Sequence, residues 1–483
     1  MAQPERPFLA SGDDLTREPG LDPGPILAEL AAQRYRSPIV RPSTAEQVAS
    51  RVDLSFPYAG NDDLDRLAGE VIRLFDDFPR RNTHPGFFGW VSTCGLPTDP
   101  LSQAMVSAIN ANVAGYWASP AGTVIERHVI DWLARLAGLP QGAEGVLLSG
   151  GSVANMTGIA TALAHRYGPD YRRRGIDACA AGEAPAILCS QATHFSVRRA
   201  AAMLGVGTDN VIEVETDGDF RLRADRLSTL LETHANVFCV VASAGTTNTG
   251  AIDPLENIAE LCREHGVWLH VDAAYGGGGL MSDELRPRYR GIGLADSITM
   301  DLHKWFYQSL DGSVLLYRDA SAPRDLFYDS SDYLVSNPQP SPEEYMFFHL
   351  GPELSRRFRA LPFYLALRHY GIERLGRNVL HNVKCAEYLA QLIGRHGELE
   401  LVTGPQLSIL CFRYRRPGLC ETETDRLNSE IRDRIQQEGD YLMSATRVNG
   451  RPVLRVCIAN HATRAAHVEG LLESVLRIGR ELE

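Results

Sequence analysis

Trp268-Leu269-His270-Val271-Asp272-Ala273-Ala274-Tyr275-Gly276-Gly277 is followed, one connection later, by Ser297-Ile298-Thr299-Met300-Asp301-Leu302-His303-Lys304-Trp305. Each stretch opens as a short apolar run and ends in polar residues, the pattern of a buried strand running out into a loop. Asp272 therefore leaves one strand end and Lys304 leaves the next. Upstream, residues 237–242 read as another strand that runs into Ser243-Ala244-Gly245-Thr246-Thr247-Asn248-Thr249-Gly250, and a helix over 254–265 leads back to Trp268. Strand, helix and strand in that order predict an α/β fold with a mostly parallel sheet.

Two further strand ends feed the same crevice. Val146-Leu147-Leu148-Ser149-Gly150-Gly151-Ser152-Val153-Ala154-Asn155-Met156 reads as strand, glycine turn and helix. The helix start offers unpaired N–H groups and a positive dipole end, which stabilise a phosphate. The spacing matches neither the P-loop nor the dinucleotide fingerprint, and a glycine pair alone reads equally as a tight turn. After a strand over 186–190 comes Gln191-Ala192-Thr193-His194-Phe195-Ser196, which puts His194 where α/β crevices form. A carboxylate and an amine aimed at one crevice suit pyridoxal phosphate (PLP). The amine forms the Schiff base, and the carboxylate keeps a proton on the pyridine nitrogen. Alone, Asp272 reads as a turn cap and Lys304 as a surface amine; the joint pattern points to the cofactor.

His-Val-Asp-Ala-Ala-Tyr followed by His-Lys-Trp resembles the PLP-dependent group II amino-acid decarboxylases, among them the aromatic L-amino-acid, histidine and glutamate decarboxylases. The resemblance runs from about Pro79 to the C-terminus. It implies a fold-type I, aspartate aminotransferase-like enzyme in three parts: an N-terminal arm and helical segment over 1–95 that packs on a partner subunit, a large PLP-binding domain over 96–373, and a small α+β domain over 374–483. It also implies a homodimer with shared active sites and a small-molecule amino-acid substrate. Carried over by position, Lys304 holds PLP covalently, Asp272 faces its ring nitrogen and His194 stacks on its ring. Gly151, Ser152 and Val153 cup the phosphate, with Thr246, Ala274 and His303 as further contacts. In the stretch His84-Pro85-Gly86-Phe87-Phe88-Gly89-Trp90-Val91-Ser92-Thr93 the resemblance places the substrate pocket, with Phe87 and Trp90 lining it and Thr93 near the substrate carboxylate. Those aromatics weakly favour an aromatic substrate, and they read equally as core. Tyr345 lies in the proline-bearing segment 327–350, at nearly the spacing of a mobile-loop tyrosine that protonates Cα.

Two departures stand out. Ala114-Gly115 are small where aromatic decarboxylases are bulkier, and Asp301 stands where Asn is common. An ionised Asp cannot donate to a phosphate and repels it. Asp301 therefore points elsewhere, or is protonated, or phosphate binding rests on His303 and backbone.

The totals bound the class. The chain has 483 residues, 44% hydrophobic and 22% charged, enough for two or three domains. A net charge of −12 without a long basic block argues against nucleic acid. Nine scattered Cys without a C-x-x-C pair suggest reduced thiols. No apolar run reaches the roughly 18–20 residues of a membrane helix, and the polar, Pro-rich start lacks the regions of a signal peptide, so a cytoplasmic protein without membrane contact is expected. The leading expectation is decarboxylation of an L-amino acid. Acidic substrates (glutamate, aspartate, cysteine sulfinate) stay open, as do oxidative decarboxylation–deamination to an aldehyde, transamination, and a non-enzymatic role on the same scaffold.

Overall fold

The computed structural model describes residues 23–53, 63–179, 184–329 and 345–482. Its first strand, β1 (Phe87–Phe88), belongs to a small sheet. The next seven build the large one: β2 (Glu144–Leu148), β3 (Ala186–Ser190), β4 (Val211–Val214), β5 (Val237–Ser243), β6 (Trp268–Asp272), β7 (Ser297–Asp301) and β8 (Ser313–Tyr317). Their spatial order is β2-β8-β7-β6-β5-β3-β4. The five from β7 to β4 run parallel, and β8 runs antiparallel to both its neighbours. Every residue of β5, β6 and β7 is buried. That is why these strands read as continuous apolar runs and not as alternating ones.

Register sets up the crevice. Ser243 pairs with Asp272, so β5 and β6 end level, and Asp272 pairs with Thr299, so β7 runs two residues further, to Asp301. Just past β5, Gly245 takes a positive φ of +114°, and a Cβ there would lie 3.0 Å from the Gly276 backbone. Glycine permits both the turn and the close approach.

The small sheet adds β9 (Leu399–Thr403), β10 (Ile409–Tyr414), β11 (Leu442–Val448) and β12 (Arg451–Cys457), in the order β1-β11-β12-β10-β9. Its own core includes Phe88, Phe412, Val456, Leu471 and Val475. β1 lies parallel to β11, pairing Phe87 with Leu442. The stretch expected to be a pocket-lining loop is thus a short strand that joins the small sheet. A two-residue strand has no periodicity of its own, and the partner that creates it lies far along the chain. The small and large sheets are linked by Tyr275, whose hydroxyl lies 2.6 Å from Ser408 Oγ. They are linked again by Arg455, which donates to the Thr247 and Trp90 carbonyls.

The Leu64–Asp77 helix leaves Leu67, Val71 and Phe75 exposed, Phe75 by 66%. Among the described residues no helix is long and apolar enough to cross a membrane. All nine cysteines are free, and only Cys420 is exposed.

Candidate active site

At the carboxyl ends of these strands lies a cleft of about 340 Å³. Gly151, Ser152, Val153, His194, Thr246, Asp272, Ala274, His303 and Lys304 all line it. Phe87, Trp90, Thr93 and Tyr345 do not.

The cleft floor is the start of the Gly151–Tyr167 helix. Its cap, Gly150, supplies no side-chain hydrogen bond. The first N–H groups of any helix lack intrahelical partners, so this end is open to an anion. A Cβ on Gly151 would meet the Asp301 carboxylate at 2.8 and 2.9 Å. Only glycine lets these two elements meet here.

Asp272 leaves β6 nearly buried. Its Oδ1 accepts from the Ala274 amide at 3.0 Å and its Oδ2 from Asn155 Nδ2 at 2.8 Å. Two donors hold the carboxylate in one rotamer at the cleft wall. His194 Nδ1 lies 2.9 Å from Ser196 Oγ and 3.3 Å from the Ser196 amide. The amide donates to Nδ1, so Nδ1 is the acceptor and Nε2 carries the proton. Burial pulls the His194 pKa below its ordinary value, although Asp272 works the other way. Thr246 is buried, its hydroxyl accepting from the Ala251 amide at 3.0 Å.

Lys304 Nζ sits 2.9 Å from Asp301 Oδ2. Burial acts against the ammonium, but Asp301 and then Asp272 outweigh it, and the amine is held above the usual lysine value. Asp301 also accepts from Ser313 Oγ at 2.6 Å and lies 3.5 Å from His303 Nε2. Of the three options for Asp301, pointing elsewhere is excluded: its carboxylate faces the cleft. His303 Nδ1 donates to the Gly312 carbonyl at 2.8 Å, and burial lowers its pKa.

The remaining expected residues lie apart. Phe87 packs with Ile39, Val40 and Leu442. Trp90 is half exposed, with Arg80 over its ring, and Thr93 donates to the Ala459 carbonyl at 2.9 Å. The Tyr345 hydroxyl bonds Glu144; burial, then Glu144, raises its pKa well above the tyrosine range. Arg127 lies over the Tyr345 ring. Downstream, in Arg356-Arg357-Phe358-Arg359, Arg356 is the buried arginine. It pairs with Glu126, while Arg357 reaches Gln103.

Sequence reading missed Asn155, Ser196 and His270. A signal existed for His270: two residues before Asp272 on a strand, it shares that residue's face. Asn155 sits one turn inside the glycine-led helix, where side chains point back toward its start.

The residues present fit a phosphate-bearing pyridine aldehyde. An uncapped helix start suits the phosphate, a fixed carboxylate the ring nitrogen, and a partly exposed lysine opening on the cleft the aldehyde.

Comparison with known proteins agrees. The family model described as "Pyridoxal-dependent decarboxylase conserved domain" matches residues 46–415. An aromatic-L-amino-acid decarboxylase of Bacillus atrophaeus is 29% identical over 92% of this chain and 91% of its own length. An L-2,4-diaminobutyrate decarboxylase of Rhizobium meliloti (strain 1021) is 34% identical over 79% and 75%. An acidic amino acid decarboxylase of Mus musculus is 29% identical over 90% and 81%. Among solved structures, mouse CSAD superposes with a TM-score of 0.86 at 25% identity, covering 94% of this chain and 96% of that one.

Proposed function

Because this chain belongs to the pyridoxal-dependent decarboxylase family and is a PLP-dependent amino-acid carboxy-lyase, we propose that it decarboxylates an aromatic L-amino acid to the amine and CO2. The observation that carries the reaction is the opening of Lys304 and Asp272 on one cleft above an uncapped helix start. The aromatic choice rests on the Bacillus relative, which matches nearly end to end. It is supported by Phe195, an exposed ring 4.2 Å from the ring of His194, which lines the cleft.

A basic substrate is the second reading. It is favoured by the extra carboxylate that Asp301 brings into the cleft and by the 34% identity to a diaminobutyrate decarboxylase. An acidic substrate is third, since Asp272 and Asp301 would oppose it.

When bound, PLP supplies the electron sink for the pair left behind as CO2 departs. Lys304 is the covalent anchor. The Gly151 and Ser152 amides at the helix start would hold the phosphate. Asp272, fixed by Ala274 and Asn155, holds a proton at the ring nitrogen. His194 lines the cleft with Nδ1 engaged by Ser196 and the proton on Nε2, and we assign it the handling of the proton at Cα. The Tyr345 hydroxyl is engaged with Glu144 outside the cleft. A homodimer is part of the same reading: the exposed Leu67, Val71 and Phe75 stripe suits burial against a second copy.

The test is CO2 release from purified enzyme with PLP, comparing kcat/KM for tryptophan, tyrosine and phenylalanine with 2,4-diaminobutyrate, glutamate, aspartate and cysteine sulfinate. The highest value is expected for an aromatic substrate. A diaminobutyrate value above all three aromatics would move the assignment to the second reading.

A further inference from the structure

We infer that Asn155, itself held by His270, is a positioning residue that fixes Asp272 against the cofactor ring nitrogen and at the same time orients His194. The inference rests on the PLP reading of the cleft.

The hydrogen bonds run in one direction. Asp272 Oδ2 is an acceptor, so the Asn155 atom 2.8 Å from it is Nδ2, which fixes the amide. Asn155 Oδ1 can only accept, so His270 Nε2, 3.1 Å away, carries a proton. Trp268 Nε1 can only donate, and it reaches Ser297 Oγ at 2.9 Å. The Ser297 hydroxyl is then free to donate to His270 Nδ1 at 2.8 Å. The chain therefore reads Trp268 to Ser297 to His270 to Asn155 to Asp272, each donor finding one acceptor. His270 must be neutral for the chain to hold, and its full burial lowers its pKa to about 4.

Asn155 Nδ2 also donates to Ser196 Oγ at 3.0 Å, and that oxygen lies 2.9 Å from His194 Nδ1. One amide thus ties together the group expected at the ring's edge and the group expected on its face. All the members of this chain from Asn155 to Trp268 are buried. A fully satisfied buried network of this kind specifies one arrangement. Lys304, His194 and His270 are the titratable groups that bear on Asp272, and Asp301 reaches it through Lys304.

The experiment compares Asn155→Ala and His270→Leu with the parent, each loaded with PLP or with the analogue in which carbon replaces the ring nitrogen. With PLP, kcat is expected to fall about tenfold or more, as for other supporting-shell residues, with KM little changed. The pH midpoint of the visible cofactor band shifts in the same variants. With the carbon analogue the part of the loss that runs through Asp272 disappears, because Asp272 then has nothing to hold, and only the smaller part that runs through Ser196 and His194 remains. His270→Gln keeps a donor toward Asn155 and restores most of the loss. Equal losses with both cofactors would make Asn155 merely structural and overturn the inference, as would an unchanged kcat and midpoint with PLP. Asp272→Asn separates the two levels. If it retains parental activity with PLP, the ring-nitrogen reading fails; if it collapses while Asn155→Ala does not, only the inference fails.

Discussion

Asp301→Asn is the perturbation that probes the cleft's least expected feature. In the parent, Asp301 Oδ2 and Lys304 Nζ are 2.9 Å apart, a gross attraction of about 6 kcal/mol at an effective dielectric near 20. Removing one partner of a fully buried pair costs about 3–5 kcal/mol. The Lys304 side chain is 24% exposed, so about 2–3 kcal/mol is the fair figure here. That loss falls on the cofactor-free protein. PLP must take Lys304 from Asp301, and its phosphate must approach Gly151, which Asp301 abuts. The variant has no ion pair to break and no anion beside the helix start. Its PLP affinity should therefore rise, by about 30-fold to 150-fold if the whole difference is expressed. The assay is twofold: urea unfolding of the cofactor-free proteins, and PLP titration followed by quenching of tryptophan fluorescence. Trp305 adjoins Lys304 in sequence and is a natural reporter. A variant less stable without PLP yet binding it more tightly is the expected pair of results. Equal or weaker PLP binding would refute the reasoning. It would mean that Asp301 favours the phosphate, as a protonated donor does.

Three further outcomes follow from the geometry. His270 has a folded pKa of about 4 against an ordinary 6.5, so its contribution is present above pH 6.5 and is lost as pH falls through 4. The parent should then lose about 3 kcal/mol more than His270→Gln between pH 7 and pH 4 in urea unfolding, and parallel losses would contradict this. Glu126→Gln leaves Arg356 buried without its counter-charge, and a loss of about 3–5 kcal/mol in unfolding free energy is expected; a change under about 1 kcal/mol would show the pair to be dispensable. Tyr345→Phe should keep kcat within about threefold of the parent, where loss of a proton donor costs about a hundredfold or more, because its hydroxyl faces Glu144.

Much of the cleft was legible because its residues sit at strand ends, where a short apolar run stops abruptly. Asp272, His194 and Lys304 each follow such a run, and β5 to β7 are buried on both faces. The glycine-led helix was readable for the same reason: backbone that must approach a ligand excludes side chains. What sequence could not show depends on partners distant along the chain. β1 exists only because β11 lies beside it. Phe87 therefore packs with Ile39, Val40 and Leu442, the core reading that aromatics between glycines left open beside a pocket. Tyr345 was placed by spacing alone, and spacing carries no information on which group its hydroxyl meets. Asp301 was recognised as a departure, but its orientation depends on Ser313 and Lys304 together. The Asn155–His270 chain joins a helix to a strand, and no pattern within either element announces it.

The most direct test of the reading is the visible absorbance of the purified protein with PLP, parent beside Lys304→Ala, repeated with the amino-acid panel while CO2 and O2 are followed. The parent is expected to develop a cofactor band that Lys304→Ala lacks. That band should shift with one substrate class as CO2 is evolved and no O2 is consumed. An identical band in both proteins, or a shift accompanied by O2 uptake or without CO2, would contradict it.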